Sequence, residues 1–363
     1  MGTQIDRRPI WLLLLLRARR PVFFLAVAVL FYGIITSELP EGLSAGGRNA
    51  IAVFILCLVL WVTNVIPLAI TSLFAIVLVP FLGILSTKDT YAIFGNEAVF
   101  FILGAFILAG AVMHSGLSNR IALAIMTRFG ATPKKLLLSI FFLSAVLSFF
   151  MSEHAVAAML FPIVFEIAKG LKLRPGKSNY GKLLFLSLAW GCVIGGVATF
   201  LGGARVPLAV GILSESTGQT INFLTYTVAV FPIVVVLLTF GAFLLPRLFP
   251  IEIDSVSDAH KLLSERIKGI GRFRLREYAV GVILVLTVIA WMTIGHRVGL
   301  ANIARSSVVV LFIFRLVRWK DIEEYVNWGI ILMYGGAITL GTALERSGAA
   351  EWVANRTIGE WGS

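Results

Sequence analysis

Residues 136–168 read LLLSIFFLSAVLSFFMSEHAVAAMLFPIVFEIA, two apolar limbs, 136–151 and 155–168, on either side of the polar triplet Ser152, Glu153 and His154. At about 1.5 Å per residue the limbs reach roughly 24 and 21 Å, short of a hydrocarbon core of about 30 Å. The segment therefore reads as a re-entrant helical hairpin that enters and leaves by one face, with its polar tip near mid-membrane. An ionisable pair at that depth is costly, which makes Glu153 and His154, with Ser148 and Ser152 beside them, functional candidates. The plainer alternative is a buried Glu and His that satisfy each other. The tip between two short helices also presents helix ends, which attract ions.

Outward from the hairpin the whole chain reads as membrane-embedded. Of its 363 residues 58% are hydrophobic and 14% charged, against about a quarter charged in soluble domains, and the mean hydropathy is +0.94. Apolar runs punctuated by Gly, Pro or charge place spans near 21–39, 50–66, 67–84, 97–115, 183–213, 222–246, 278–295, 299–317 and 327–345. The run 11–16 is too short for a signal peptide and is followed by Arg17, Arg19 and Arg20, so the start of the chain reads as a cytoplasmic interfacial segment.

The net charge of +12 is topological in this setting and does not call for a nucleic-acid partner. With a re-entrant hairpin, the connections 1–20, 116–135, 169–182, 246–277 and 315–325 lie on one side and hold 24 of the 31 Lys and Arg. The other side holds 5, and Arg205 and Arg305 fall within the membrane. This asymmetry places the N-terminus in the cytoplasm and the chain, multi-pass, in the cytoplasmic membrane. Cys57 and Cys192 lie in apolar runs, where a thiol behaves as a small hydrophobe.

An internal repeat is written at an offset of about 230. Trp61 and Thr63 recur as Trp291 and Thr293, and Lys88 and Asp89 as Lys320 and Asp321. Gly104, Ala105, Leu108, Ala111, Ser115 and Gly116 recur 232 residues later as Gly336, Ala337, Leu340, Ala343, Ser347 and Gly348. The copies start in opposite directions, the inverted-repeat plan of secondary transporters, whose substrate site lies where the repeats meet. The organisation expected is an N-terminal segment and first span (1–49) followed by a first repeat (50–248). That repeat holds scaffold spans 50–84, a transport part 96–213 and a span 222–246. A basic cytoplasmic linker (249–277) and an incomplete second repeat (278–363) complete it. A second hairpin triplet belongs near 385 and a full two-repeat chain ends near 478, so the second repeat reads as truncated.

The fifth span is longer than a straight crossing needs, and its centre runs Gly195-Gly196-Val197-Ala198-Thr199-Phe200-Leu201-Gly202-Gly203-Ala204-Arg205-Val206-Pro207. Two glycine pairs and a proline argue for an unwound break whose carbonyls hold a cation and whose N–H groups hold an anion. Small residues that let helices pack closely are the alternative. Arg205 in a broken helix needs an anionic partner, for which a carboxylate or oxyanion substrate is suited. Arg305 reads as a scaffold or snorkelling residue. Enzyme signatures such as His-Glu-x-x-His, Gly-x-Ser-x-Gly, a phosphate loop or a Cys/His cluster are absent from the sequence.

The stretch from Leu147 through Ser152-Glu153-His154 to Pro162 resembles the first hairpin motif of the divalent-anion/sodium symporter (DASS) family. In that family a Ser-Asn-Thr triplet helps bind sodium and the substrate carboxylate. Gly195 to Pro207 resembles the family's broken fifth span, and Gly335-Gly336 through Ser347-Gly348 the opening of its second repeat. Two departures stand out: Glu153 and His154 replace Asn and Thr, and Gly203-Ala204-Arg205-Val206-Pro207 replaces a Thr/Ser-Pro-Pro-Asn-like sequence. The resemblance implies an all-α elevator-like transporter, usually a homodimer, for dicarboxylate, citrate or sulfate. Substrate contacts are expected from Ser152, Glu153, His154, Thr199, Gly202, Gly203 and Arg205. Cation contacts are expected from Ser148, Ser152, Glu153, Gly195 and Gly196, with a sodium ion at Ser148, Glu153 and Gly196 and no cofactor.

The altered triplet leaves coupling open between sodium, protons and exchange, because Glu153 can hold a cation or a proton and His154 can supply positive charge to an anion. Two further readings stand beside anion transport. One is a cation/proton antiporter, if Arg205 is structural; the other is a non-transporting sensor or partner protein, if the second repeat is incomplete.

Overall fold

The computed structural model describes residues 10–358, and every regular element among them is helical. In chain order these are α1 (Ile10–Thr36), α2 (Ala45–Thr63), α3 (Leu68–Phe81), α4 (Thr87–Phe94), α5 (Glu97–Ser115) and α6 (Leu117–Phe129). There follow α7 (Pro133–Ser148), α8 (Glu153–Gly170), α9 (Asn179–Gly196), α10 (Arg205–Thr217), α11 (Phe223–Leu248) and α12 (Ser257–Ile270). The last are α13 (Leu275–Thr293), α14 (Gly295–Val298), α15 (Leu300–Ile313), α16 (Trp319–Ile322), α17 (Trp328–Arg346) and α18 (Ala349–Ile358).

Several of the helices begin where a hydroxyl or amide can replace the missing backbone acceptor. Ser44, Thr132, Ser178 and Asn222 accept from the backbone N–H three residues on, and Pro133, which has no N–H to satisfy, opens α7. Ala45–Thr63, Thr87–Ser115, Phe223–Leu248, Leu275–Thr293 and Trp328–Arg346 are long and apolar enough to cross a membrane. α11 turns Val228, Val236 and Phe240 outward at 63%, 65% and 56% exposure, a surface suited to lipid. The chain is an all-α polytopic membrane protein.

Two expected connections contain helices of their own. α6 and α12 are amphipathic, and α12 packs on α6 and α8. His260 Nε2 lies 2.9 Å from the Thr127 carbonyl, and Arg266 donates to Glu166 on α8 at 2.7 Å. The start of the chain also differs from the sequence reading. Where a separate interfacial segment was expected to end before Pro21, α1 runs through that proline without interruption. Losing one N–H bond does not end a helix whose other backbone groups have no better partner in an apolar setting. Arg7 and Arg8, part of that expected segment, lie outside the described residues.

Two compact units divide the chain. One comprises Met1–Asn96, Glu215–Thr217 and Trp328–Ser363; the other comprises Glu97–Ser214 and Gly218–Asn327. In the first, α17 packs on α2, α3, α4 and α18. In the second, α5 packs on α13, α15, α16 and α6. At the repeat offset α17 corresponds to α5, and the partners correspond one by one. The agreement reaches single atoms. A Cβ on Gly336 would come within 2.6 Å of the Ser72 Cβ, and one on Gly104 within 2.7 Å of the Ala304 Cβ, residues 232 apart in both cases. Trp61 Nε1 donates to the Leu68 carbonyl at 3.4 Å, and Trp291 Nε1 to the Leu300 carbonyl at 3.0 Å. Each repeat therefore lends its glycine helix to the other.

In the second unit a buried ion pair joins α6 to the start of α13. The Arg120 guanidinium contacts both Glu277 oxygens at 2.7 and 3.0 Å and donates to the Gly271 and Arg272 carbonyls at 2.7 and 3.1 Å. Four hydrogen bonds meet the Arg120 guanidinium, which is what makes a buried charge tolerable.

Candidate functional site

The hairpin tip is four residues, Phe149 to Ser152, between α7 and α8. α7 closes with the Phe150 N–H donating to the Leu147 carbonyl at 3.1 Å, and α8 opens at Glu153, where a carboxylate is favoured by the helix N-terminus. α7 lies along α9 at glycine distance. A Cβ on Gly191 would strike Ser144 Oγ and the Phe141 carbonyl, and one on Gly195 the Ala145 backbone. Gly195 therefore serves close packing, and its carbonyl accepts from the Ala198 N–H at 3.0 Å.

α9 stops at Gly196 and α10 starts at Arg205, so the expected break spans residues 197–204. Three bonds from other elements hold it. Thr199 Oγ1 donates to the Phe149 carbonyl at 2.6 Å, the Glu153 N–H donates to the Gly202 carbonyl at 2.8 Å, and the Tyr226 hydroxyl donates to the Val197 carbonyl at 2.9 Å. Phe200, inside the break, packs against Phe101, Phe223 and Tyr226 with ring centres 6.1, 5.7 and 5.1 Å away. Pro207, in the first turn of α10, forfeits no helical bond.

Glu153 and Arg205 meet where tip and break join. Arg205 Nη1 and Nη2 donate to Glu153 Oε1 and Oε2 at 2.9 and 2.7 Å, a two-pronged pair of the strongest protein geometry. Glu153 is 7% exposed, while the Arg205 side chain is 46% exposed. The partner anticipated for Arg205 was a substrate oxyanion; the partner present is a carboxylate of this chain. Gly196 makes the pair possible, since a Cβ there would run into the Glu153 carboxylate. His154 Nδ1 lies 3.8 Å from Glu153 Oε1, with its side chain 74% exposed.

Ser152 and Thr199 are buried beside the pair. The Ser148 hydroxyl is fully buried with no hydrogen-bond partner. A Cβ on Gly202 would strike the Ser148 and Gly196 carbonyl oxygens, so two backbone acceptors converge on that glycine. Gly203 packs on the Gly196 carbonyl and the Arg205 guanidinium, and its own carbonyl accepts from the Val206 N–H at 3.2 Å. The structure thus gathers Ser148, Ser152, Glu153, Thr199, Gly196, Gly202, Gly203 and Arg205 around one junction, with His154 at its open edge. Arg305 is elsewhere, held by Asn302 Oδ1 at 2.7 Å and facing the Phe100 ring.

Two residues that the sequence reading passed over matter here. Tyr226 and Phe200 are ordinary aromatics in apolar runs, and only their convergence on the break marks them. Beside Arg205 a cavity of about 610 Å³ opens between α10 and the start of α11, with Val197, Val206, Val210, Leu213, Ile221 and Tyr226 on its walls.

The family described as sodium:sulfate symporter transmembrane region matches residues 19–362. Among similar curated proteins are the sodium-dependent dicarboxylate transporters SdcS of Staphylococcus aureus strains NCTC 8325 / PS 47, MRSA252 and USA300. Each is 27% identical over 362 residues, covering 93% of this chain and 68% of the relative. A hairpin tip docked on a broken helix, repeated helices that trade partners and a family match along nearly the full described length lead to one statement: this chain belongs to a family of membrane transporters, the sodium:sulfate symporters.

Proposed function

We propose that the chain is a secondary active transporter of small anions across the cytoplasmic membrane, with its N-terminus inside. The observation that carries this reading is the Glu153–Arg205 pair at the junction of hairpin tip and helix break. Two of the five guanidinium N–H groups are committed to Glu153, which leaves donors for a second anion on a side chain half exposed to the cavity. The pair is neutral as a unit, so an arriving anion brings uncompensated charge into a largely apolar site.

A second ion must offset that charge, and this requirement is the physical basis of coupling. Sodium finds oxygen donors in the Ser148 and Gly196 carbonyls and the unpartnered Ser148 hydroxyl. A proton on Glu153 would instead loosen the fork and free Arg205 for the substrate, and His154 at the open edge offers a second proton site. The names of the Staphylococcus relatives, sodium-dependent dicarboxylate transporters, support sodium and a dicarboxylate.

The completeness of the pair favours one other reading. If Arg205 is the permanent counter-ion of Glu153, the site exchanges cations for protons at that carboxylate. The deciding experiment is uptake of labelled succinate, citrate and sulfate into proteoliposomes, with sodium and proton gradients imposed separately. Anion uptake that Arg205→Gln abolishes supports the proposal. Sodium–proton exchange without anion uptake, retained in Arg205→Gln, supports the other reading.

A further inference from the structure

We propose that Tyr226 is a positioning residue that links the anion to its cation, its hydroxyl passing one hydrogen bond between the Val197 carbonyl and the bound anion. This rests on the anion-transport reading above and names a residue through which the two ions sense each other. Tyr226 stands in the first turn of α11 and meets the break in three ways. Its hydroxyl donates to the Val197 carbonyl at 2.9 Å, its ring lies 5.1 Å from the Phe200 ring, and it lines the cavity that Arg205 also lines. The side chain is half-buried, with the break on one side and the cavity on the other.

A phenol has one proton to donate, so it serves one acceptor at a time. A carboxylate or sulfate oxygen takes that proton in preference to a neutral carbonyl, because a charge-assisted hydrogen bond is about twice as strong. An anion held by Arg205 therefore draws the hydroxyl off Val197. The carbonyl it leaves stands where α9 ends, the negative pole of the helix, at which a cation is favoured. Val197 follows Gly196, whose carbonyl converges with that of Ser148 on Gly202, so a freed Val197 carbonyl adds an oxygen one residue from that pair. Sodium bound to it offsets the lost hydrogen bond. The anion, in turn, keeps the hydroxyl off the ligand that sodium uses. Each ion thus makes the other easier to bind, and linkage requires the effect to be equal in both directions.

The test uses the full chain in detergent. Binding of labelled succinate, citrate and sulfate is measured in sodium chloride and in choline chloride. Sodium binding is read from the rise in melting temperature with and without the anion. In the wild-type protein each ion should tighten the other. Tyr226→Phe keeps the ring on Phe200 and deletes the hydroxyl. Sodium should bind this variant, free of anion, about fivefold more tightly than it binds anion-free wild type, since it no longer displaces a hydrogen bond. At saturating sodium the anion should bind about fivefold more weakly, and the mutual tightening should shrink by the same factor. A tyrosine that merely braces the break predicts the opposite sign for sodium, because a loosened break weakens both ions. Phe200→Leu supplies that comparison: it removes the ring contact and leaves the hydroxyl, and should lower the melting temperature while the mutual tightening persists.

Mutual tightening in Tyr226→Phe equal to wild type, or weaker sodium binding in that variant, overturns the assignment while leaving anion transport standing. So does a loss of mutual tightening in Phe200→Leu as large as in Tyr226→Phe, which would give the role to the packing and not to the hydroxyl. Anion binding to wild type that ignores sodium also overturns it and leaves exchange or proton coupling. Failure of wild type to bind any of the three anions overturns both readings.

Discussion

Glu153 carries the sharpest predictions at the scale of single residues, because its two oxygens are both taken by Arg205. Glu153→Gln keeps the shape and removes the charge, leaving Arg205 as an uncompensated cation. Anion affinity should rise and dependence on the coupling ion should fall. The check is uptake from pH 5.5 to 8 with and without sodium, and coupling identical to wild type would refute the role given to Glu153. Gly196→Ala should part the fork by steric collision alone, at a stability cost of about 1–3 kcal/mol typical of overpacking, read by thermal melting in detergent. Outside the membrane spans, the Ser178 hydroxyl, helped by the Tyr180 N–H, holds the Glu252 carboxyl below its ordinary value of 4.5. The ionised form is favoured by folding. Its contribution is therefore complete above pH 4.5 and lost as pH falls through the lowered value. Ser178→Ala should move that loss to higher pH, followed as faster amide exchange at Tyr180 and Gly181.

Hairpin and broken helix act as one element, since the bonds that fix the break come from the hairpin tip and α11. Thr199→Val deletes the latch to Phe149 at constant volume and leaves a part-buried carbonyl unpaired. It should cost about 1–3 kcal/mol and lower uptake without altering ion preference, which Glu153→Gln alters. At this scale much was legible in the sequence. Limbs too short to cross a bilayer announced the hairpin, and two glycine pairs with a proline announced the break. Glu153 and Arg205 were each visible as charges in apolar surroundings, but their pairing was not. Fifty-two residues separate them, and the close packing of α9 on α7, with the bonds that tie the hairpin tip to Thr199 and Gly202, brings them together. α6 and α12 were hidden in connections recognised chiefly by their basic residues. The aromatic group around Phe200 had no sequence signal, because one phenylalanine among 27 carries none.

Across the whole molecule the repeat is visible twice, first as letters 232 apart and then as contacts. The sequence could align α5 with α17, but it could not tell that each packs against the other copy's helices, because identity between repeats is silent about which partner is chosen. Glycine at 104 and 336 answers for both, since a Cβ at either position collides with the facing helix. Gly104→Leu and Gly336→Leu should each destabilise their own unit, by about 1–3 kcal/mol or more. The two changes should add, as they lie in different units. Arg120→Ala, which strips Glu277 of its fork, should cost about 3–5 kcal/mol, read by the same melting experiment.

The exchange of helices between repeats also sets a timetable for biosynthesis. α3 leaves the ribosome long before α17, the helix that fills its groove at Ser72. At about 5–20 residues per second the roughly 250 intervening residues take on the order of ten to fifty seconds. Throughout that interval the face of α3 waits in the bilayer, open to lipid, insertion factors and quality-control proteases. A chain that stops between α16 and α17 therefore holds every helix of its second unit and lacks the one that fills the groove of α3 in its first.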